Sequence, residues 1–308
     1  MANRRKPLYL SPSAISLFEK SKEDYYCRYI APVKPALDPQ TQPMALGSAL
    51  DAYAKAAFIK DLTGADTFEE LFISSVEIHN RDFAKSEGKL IFEVYKKYGV
   101  YDQLLRDLQN SPVQPRFEFE LKGTIAGVPL LGKPDIFYYT ADAKPVILDF
   151  KVNGYQSKSF ISPMSGYTNV LPEAKNHPDC LFASYGEHKK YNMCKPLNRA
   201  NSDWGRQLAI YAWLCGVNVG DSFLTEIHQF VGNPRLTDSK GNQKPLRIAI
   251  HSSMVESTFQ TETMNLAQDI WRRVQSGHFF SELPFEESEA RCQLLDKTTT
   301  IPTEIIDR

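Results

Sequence analysis

Apolar residues recur at three-and-four spacing through most of the first 110 residues and at alternate positions from there to about residue 152, so helices precede a sheet. Residues 10–30, LSPSAISLFEKSKEDYYCRYI, open with Ser11 before Pro12, a helix-start signal, and continue with Ile15, Leu17 and Phe18 on the developing inner face. Tyr25, Tyr26 and Tyr29 are expected as core anchors at the far end, and a Pro-rich linker covers residues 31–43. Residues 44–60, MALGSALDAYAKAAFIK, predict a helix with Leu46, Leu50, Tyr53 and Ala57 inward. Residues 66–110 read as helical throughout, with breaks expected at Gly88 and Gly99; His79 on this stretch is a lone helical histidine.

The period then changes to two. Residues 116–121, RFEFEL, alternate and are expected to pair with residues 128–131 across a turn at Ala126-Gly127, a register that sets Glu118 opposite Asp135. Glu118 is then either a third carboxylate facing that hairpin or a surface glutamate, since a one-residue slip reverses its face. Residues 132–152, GKPDIFYYTADAKPVILDFKV, read as a β-hairpin in which the strands meet at Tyr139 and Pro145 and Asp135 stands opposite Asp149. Side chains alternate along a strand, so Asp149 and Lys151 share one face while Leu148, Phe150 and Val152 turn to the core.

Residues 153–203 carry many Ser, Pro, Asn and Gly and no sustained period, which reads as an insertion. Lys189, Lys190, Lys195 and Arg199, interleaved there with Phe182, Tyr185 and Tyr191, suit a surface that guides a nucleic-acid strand; a solvated basic face is the alternative. Residues 204–215 resume a helix that places Gln207 and Tyr211, four apart, on one face. Residues 223–231 and 246–255 alternate as strands that extend the sheet, and residues 257–276 form a helix with Met264, Ala267, Ile270, Trp271 and Val274 inward, ending at Gly277.

The hairpin is the part with chemistry. Two carboxylates directly opposite in an antiparallel pair sit roughly 5 Å apart, and such a pair resists double ionisation unless a cation joins it. A hard divalent ion such as Mg²⁺ takes oxygen ligands and leaves positions for substrate oxygens. The neighbouring Lys151 adds a positive charge that can orient a nucleophile or stabilise developing negative charge. That set suits phosphodiester hydrolysis, although an aspartate-x-lysine tripeptide on a solvated hairpin is common.

Composition excludes little. The chain has 308 residues, 42% hydrophobic and 24% charged, with a formal net charge of −1, so nucleic-acid binding must use local basic patches rather than a global field. No apolar run is long enough to span a bilayer, and the start, MANRRKPLYLSPS, lacks a signal segment, so a cytoplasmic location in a bacterium or a phage-infected host is expected, with no membrane partner. The 5 cysteines are scattered with no Cys-x-x-Cys pair, which argues for reduced thiols rather than a zinc site or a disulfide framework.

Gly132-Lys133-Pro134-Asp135, a hairpin-length spacer, and Asp149-Phe150-Lys151 at the end of an apolar strand together resemble the PD-(D/E)xK nuclease superfamily. The series of a Ser-Pro-Ser helix start, a Gly47 helix and Gln207-x-x-x-Tyr211 is similar to its RecB-like branch. The resemblance implies an α/β fold, with a central mixed β-sheet flanked by helices and a restriction-endonuclease-like core behind an N-terminal helical subdomain. It implies Mg²⁺ or Mn²⁺ held by Asp135 and Asp149 with help from the backbone carbonyl of Val152, Lys151 on the attacking water, and Gln207 and Tyr211 orienting the substrate or the site. Where RecB-like members carry Gly-x-x-x-His, this chain has Gly47-Ser48-Ala49-Leu50-Asp51; Asp51 is either a replacement metal ligand or a surface helix residue. Some members also hold an iron–sulfur cluster on four cysteines, but only Cys27 and Cys292 are placed for one, so no cluster is expected, and packing between the terminal regions is expected to stand in for it.

The expected organisation is a helical region over residues 1–110, a nuclease core over 111–290 with the insertion at 153–203, and a tail over 291–308. The expected activity is a metal-dependent DNA exonuclease acting on linear double- or single-stranded ends in recombination, repair or phage replication. A recombination, helicase or single-strand-binding protein is the expected partner. A non-cutting nuclease-fold scaffold and a structure-specific endonuclease are the alternatives.

Overall fold

A computed structural model describes residues 4–36, 38–117, 119–153, 180–185, 202–221, 223–231, 241 and 247–299. Glu118 and the basic positions Lys189, Lys190, Lys195 and Arg199 lie outside the described residues, as does most of the expected insertion.

The N-terminal apolar stretch folds as two helices, α1 (Pro12–Lys20) and α2 (Lys22–Tyr29), where a single start signal was read. Ser11 caps the first by accepting from the Ala14 amide. Ser21 is extended, ends the first and caps the second by accepting from the Asp24 amide, so one serine both breaks and restarts the helix. Tyr25 and Tyr26 are buried, and Tyr29 packs beside them, as expected of core anchors.

Four further helices precede the sheet: α3 (Gln42–Thr63), α4 (Phe68–Ser75), α5 (Arg81–Lys97) and α6 (Val100–Gln109). Gly99 separates α5 from α6, whereas Gly88 lies inside α5 and breaks nothing. Its role is close approach: a Cβ there would come within 2.8 Å of the Ala49 Cβ on α3. The alanine-rich face of α3 and the missing side chain on α5 let these two helices meet.

The main sheet holds six described strands in the order β1-β4-β5-β7-β8-β6: β1 (Arg116–Phe117), β4 (Ile136–Tyr139), β5 (Pro145–Asn153), β6 (Cys180–Tyr185), β7 (Leu224–Val231) and β8 (Arg247–Met254). A separate hairpin pairs β2 (Leu121–Ile125) with β3 (Val128–Gly132). The turn at Ala126-Gly127 is as expected, but the partner of β3 is the segment from Leu121 to Ile125. Arg116 and Phe117 instead pair with Phe137 and Ile136 in the main sheet. β5 and β7 are parallel, and α7 (Ser202–Leu214) lies in the crossover between them. The other pairings are antiparallel, so the sheet is mixed, as expected.

Helices cover both faces. One core joins Ile147 and Ile227 to α1, α2, α7, α8 (Ser257–Ser276) and α9 (Phe285–Thr299). The other joins Leu148, Phe150 and Phe230 to α3, α5 and α6. β5 is therefore buried on both sides, so the face carrying Asp149 is covered rather than solvated.

The inner face of α8 is as expected, with Met264, Ala267, Ile270 and Val274 buried, Trp271 packed alongside and Gly277 at its end. A tail boundary at residue 291 falls inside α9, which packs on α2: Cys292 is buried, the Tyr26 hydroxyl donates to Asp296 Oδ1 at 2.8 Å, and Arg4 pairs with Glu289 and Asp296. No helix of the described residues is long and apolar enough to cross a membrane.

Candidate active site

The hairpin of β4 and β5 has the expected register, with Tyr139 paired to Pro145 and Ile136 to Leu148. Thr140 and Lys144 close the loop, the Thr140 amide donating to the Lys144 carbonyl at 2.9 Å. Asp135 stands one residue before β4. Its Oδ2 accepts from the Phe150 amide at 2.9 Å, which ties it to β5 next to Asp149.

Asp149 is only 4% exposed. Its Oδ1 accepts from Gln207 Nε2 at 3.0 Å, and its Oδ2 forms an ion pair with Lys151. Lys151 Nζ also donates to Gln207 Oε1 at 3.1 Å, and Gln207 Nε2 lies 3.0 Å from the Tyr211 hydroxyl. Gln207 and Tyr211 meet because four residues complete about one turn of α7. One amide thus touches both members of the acid-x-lysine pair and the tyrosine.

Close packing sets α7 against the hairpin. A Cβ on Gly132 would lie 2.8 Å from both Leu214 Cδ1 and Tyr211 Cδ1. Gly132 therefore lets the tyrosine ring lie directly over the backbone that leads into Pro134-Asp135.

Helix α3 brings a group that the sequence reading missed. Lys55, 1% exposed, donates to Asp51 Oδ2 at 2.5 Å and to Asp135 Oδ1 at 2.9 Å. Asp51 is thus linked to the hairpin through the Lys55 ammonium. The available signal was the i,i+4 spacing of Asp51 and Lys55 on an otherwise alanine-rich face. Val152 packs its side chain against the second core.

Electrostatics follow from this packing. Burial pushes the Asp149 carboxyl up, Lys151 opposes that, and the adjacent Asp135 adds to it, leaving Asp149 raised to about 7. Burial also acts upward on Asp135, but Lys55, Lys151 and the Phe150 amide outweigh it and hold this carboxyl below its usual range. For Lys151 burial acts downward, and Asp149 with Asp135 more than offsets it, so the side chain is kept as an ammonium. Burial, reinforced by Asp149, keeps the Tyr211 phenol protonated.

Among the described residues, no group of three or more His, Cys, Asp or Glu side chains is placed to share one ion. The Asp135 and Asp149 pair nevertheless fits a hard divalent cation. Both ligands are carboxylates, Asp135 raises the cost of ionising Asp149, and the oxygens of both lie beside the ammonium groups of Lys55 and Lys151, a site built to hold positive charge.

A second polar cluster, also missed, lies on the opposite face of the sheet. The Tyr95 hydroxyl is 2.6 Å from His228 Nδ1, and His228 pairs with Glu226, which accepts from the Tyr138 hydroxyl. It borders a cavity of about 330 Å³ lined by Leu104, Asp107, Val146 and Leu224.

Compared with known proteins, residues 9–166 match the family model described as the PD-(D/E)XK nuclease superfamily, over half of the chain. No curated protein matches the sequence. Among solved structures, the crystal structure of SSO0001 is 12% identical, with 82% of each chain covered and a TM-score of 0.27. The crystal structure of protein VC1899 from Vibrio cholerae is 11% identical, covering 51% of this chain and 43% of that one, with a TM-score of 0.17.

Proposed function

We propose that this chain, which belongs to the PD-(D/E)XK nuclease superfamily, is a metal-dependent deoxyribonuclease whose reaction centre is Asp135, Asp149 and Lys151. The observation that carries the reading is the buried Asp149 beside the half-buried Asp135 and the Lys151 ammonium, with Gln207 bonded to both Asp149 and Lys151. Asp135 and Asp149 would hold Mg²⁺ or Mn²⁺, with the Val152 carbonyl as a further oxygen donor. Such an ion, when bound, supplies Lewis acidity toward the phosphate and acidifies water.

The chain's own residues do the rest. Lys151, held charged by the two aspartates, orients the attacking water and stabilises charge that builds on the phosphate oxygens as the P–O bond breaks. Gln207 keeps Asp149 and Lys151 at fixed separation, and the neutral Tyr211 phenol anchors that amide. Asp149 is only 4% exposed, and the low dielectric around it strengthens its interaction with Lys151.

By analogy with RecB-like enzymes the substrate is a DNA end, linear and double- or single-stranded, in recombination, repair or phage replication, with a helicase or single-strand-binding protein as partner. The test is incubation with end-labelled linear and closed circular DNA in Mg²⁺, Mn²⁺ or chelator. Metal-dependent loss of linear DNA alone supports an exonuclease. Cutting of the circle points to an endonuclease, and tight binding without cleavage of either overturns the enzymatic reading in favour of a scaffold.

A further inference from the structure

The reaction proposed above leaves open how many cations the site takes, and Lys55 bears on it. Its ammonium lies between Asp51 and Asp135, at 2.5 and 2.9 Å, and the side chain is 1% exposed. The side of Asp135 that faces α3 is therefore filled by a positive charge belonging to the protein. The other side faces Asp149, whose oxygens meet Gln207 and Lys151.

We propose that Lys55 is a positioning residue standing where a second divalent cation would lie between Asp51 and Asp135, so that the site takes a single ion, shared by Asp135 and Asp149. This inference rests on the nuclease reading.

Charge balance supports it. Asp51, Asp135 and Asp149 are three carboxylates against the ammoniums of Lys55 and Lys151, an excess of one negative charge when all are ionised. One divalent ion turns the excess into a single positive charge, which matches one phosphodiester. A second ion would leave three positive charges in a buried site, unless Lys55 were driven out. Expelling it would separate a buried ammonium from two carboxylates, a change that removes the compensation on which buried charges depend. Lys55 also holds Asp135 Oδ1 while the Phe150 amide holds Oδ2, which sets the carboxylate plane before any ion arrives.

The experiment is Mn²⁺ titration of the full chain without DNA, with free Mn²⁺ read by electron paramagnetic resonance. The expected stoichiometry is one ion per chain for the wild type and two for Lys55→Met, in which Asp51 and Asp135 lose their ammonium. Two ions in the wild type, or one in a folded Lys55→Met, would overturn the inference. If Lys55→Met does not fold in chelator, its melting with Mn²⁺ decides: recovery of the folded state supports the exchange of ammonium for cation, and no recovery overturns it. Wild-type protein that cleaves DNA but binds two ions overturns only this inference. Protein that neither cleaves nor binds Mn²⁺ removes the nuclease reading as well.

Discussion

Gln207 donates its side-chain amide to Asp149 at 3.0 Å, and the carbonyl end of the same amide accepts from Lys151. A helix residue 56 positions beyond Lys151 thus sets the spacing of the acid and the lysine on β5. Gln207→Leu keeps the volume but removes both bonds. It is expected to lower single-turnover DNA cleavage by about 10- to 100-fold, the size of a lost partner that orients a metal-binding carboxylate. DNA affinity in chelator should stay unchanged; wild-type cleavage by the mutant would return Gln207 to a purely structural role.

Gly132→Ala places a methyl group against the Tyr211 ring and the Leu214 side chain. Overpacking of this kind costs about 1–3 kcal/mol. Urea denaturation measures it, and Leu214→Ala in the same chain should recover part of the loss, because one of the two clashing groups is then gone.

Tyr95→Phe leaves His228 Nδ1 without its hydroxyl partner in the core. An unsatisfied buried polar group costs about 1–3 kcal/mol. The expected readout is a lower denaturation midpoint with cleavage per folded molecule unchanged, since this cluster lies across the sheet from Asp149.

The pH dependence of the metal-free protein follows from Asp149. Its folded-state value of about 7 lies above the ordinary 3.8, so the native state keeps the proton to higher pH than the unfolded chain does. The associated stability is fully present below about 3.8 and is lost as pH rises through about 7. Melting in chelator should therefore drop between pH 5 and 8, and Asp149→Asn, which does not titrate, should flatten that slope. Added Mg²⁺ should raise the wild-type melting temperature more at pH 8 than at pH 6, because a cation binds the ionised carboxylate. An equal shift at both values would contradict the raised carboxyl.

These groups differ in how plainly the chain displays them. The register of the hairpin, Ile136 against Leu148 and Tyr139 against Pro145, was legible because apolar alternation and a short polar loop restrict it to one pairing. α8 was legible because its stripe of Met264, Ala267, Ile270 and Val274 has one period and a glycine stop. Lys55 was not: an Asp51–Lys55 pair four residues apart looks the same on a solvated helix, and only the arrival of β4 buries it. The break at Ser21 was hidden because a serine inside a helical period reads as a tolerated polar residue until its side chain caps the next turn. Glu226 and His228 lie on a strand covered on both faces, where alternation no longer separates inside from outside. Gly88 read as a break because periodicity carries no information about a second helix lying against it.

The most direct measurement is Mg²⁺-dependent release of label from end-labelled linear DNA by wild-type protein, Asp149→Ala and Lys151→Ala, with each fold checked by circular dichroism. Cleavage by the wild type and its loss in both folded mutants is the predicted result. Full activity in either mutant would contradict the assignment of the reaction to Asp135, Asp149 and Lys151.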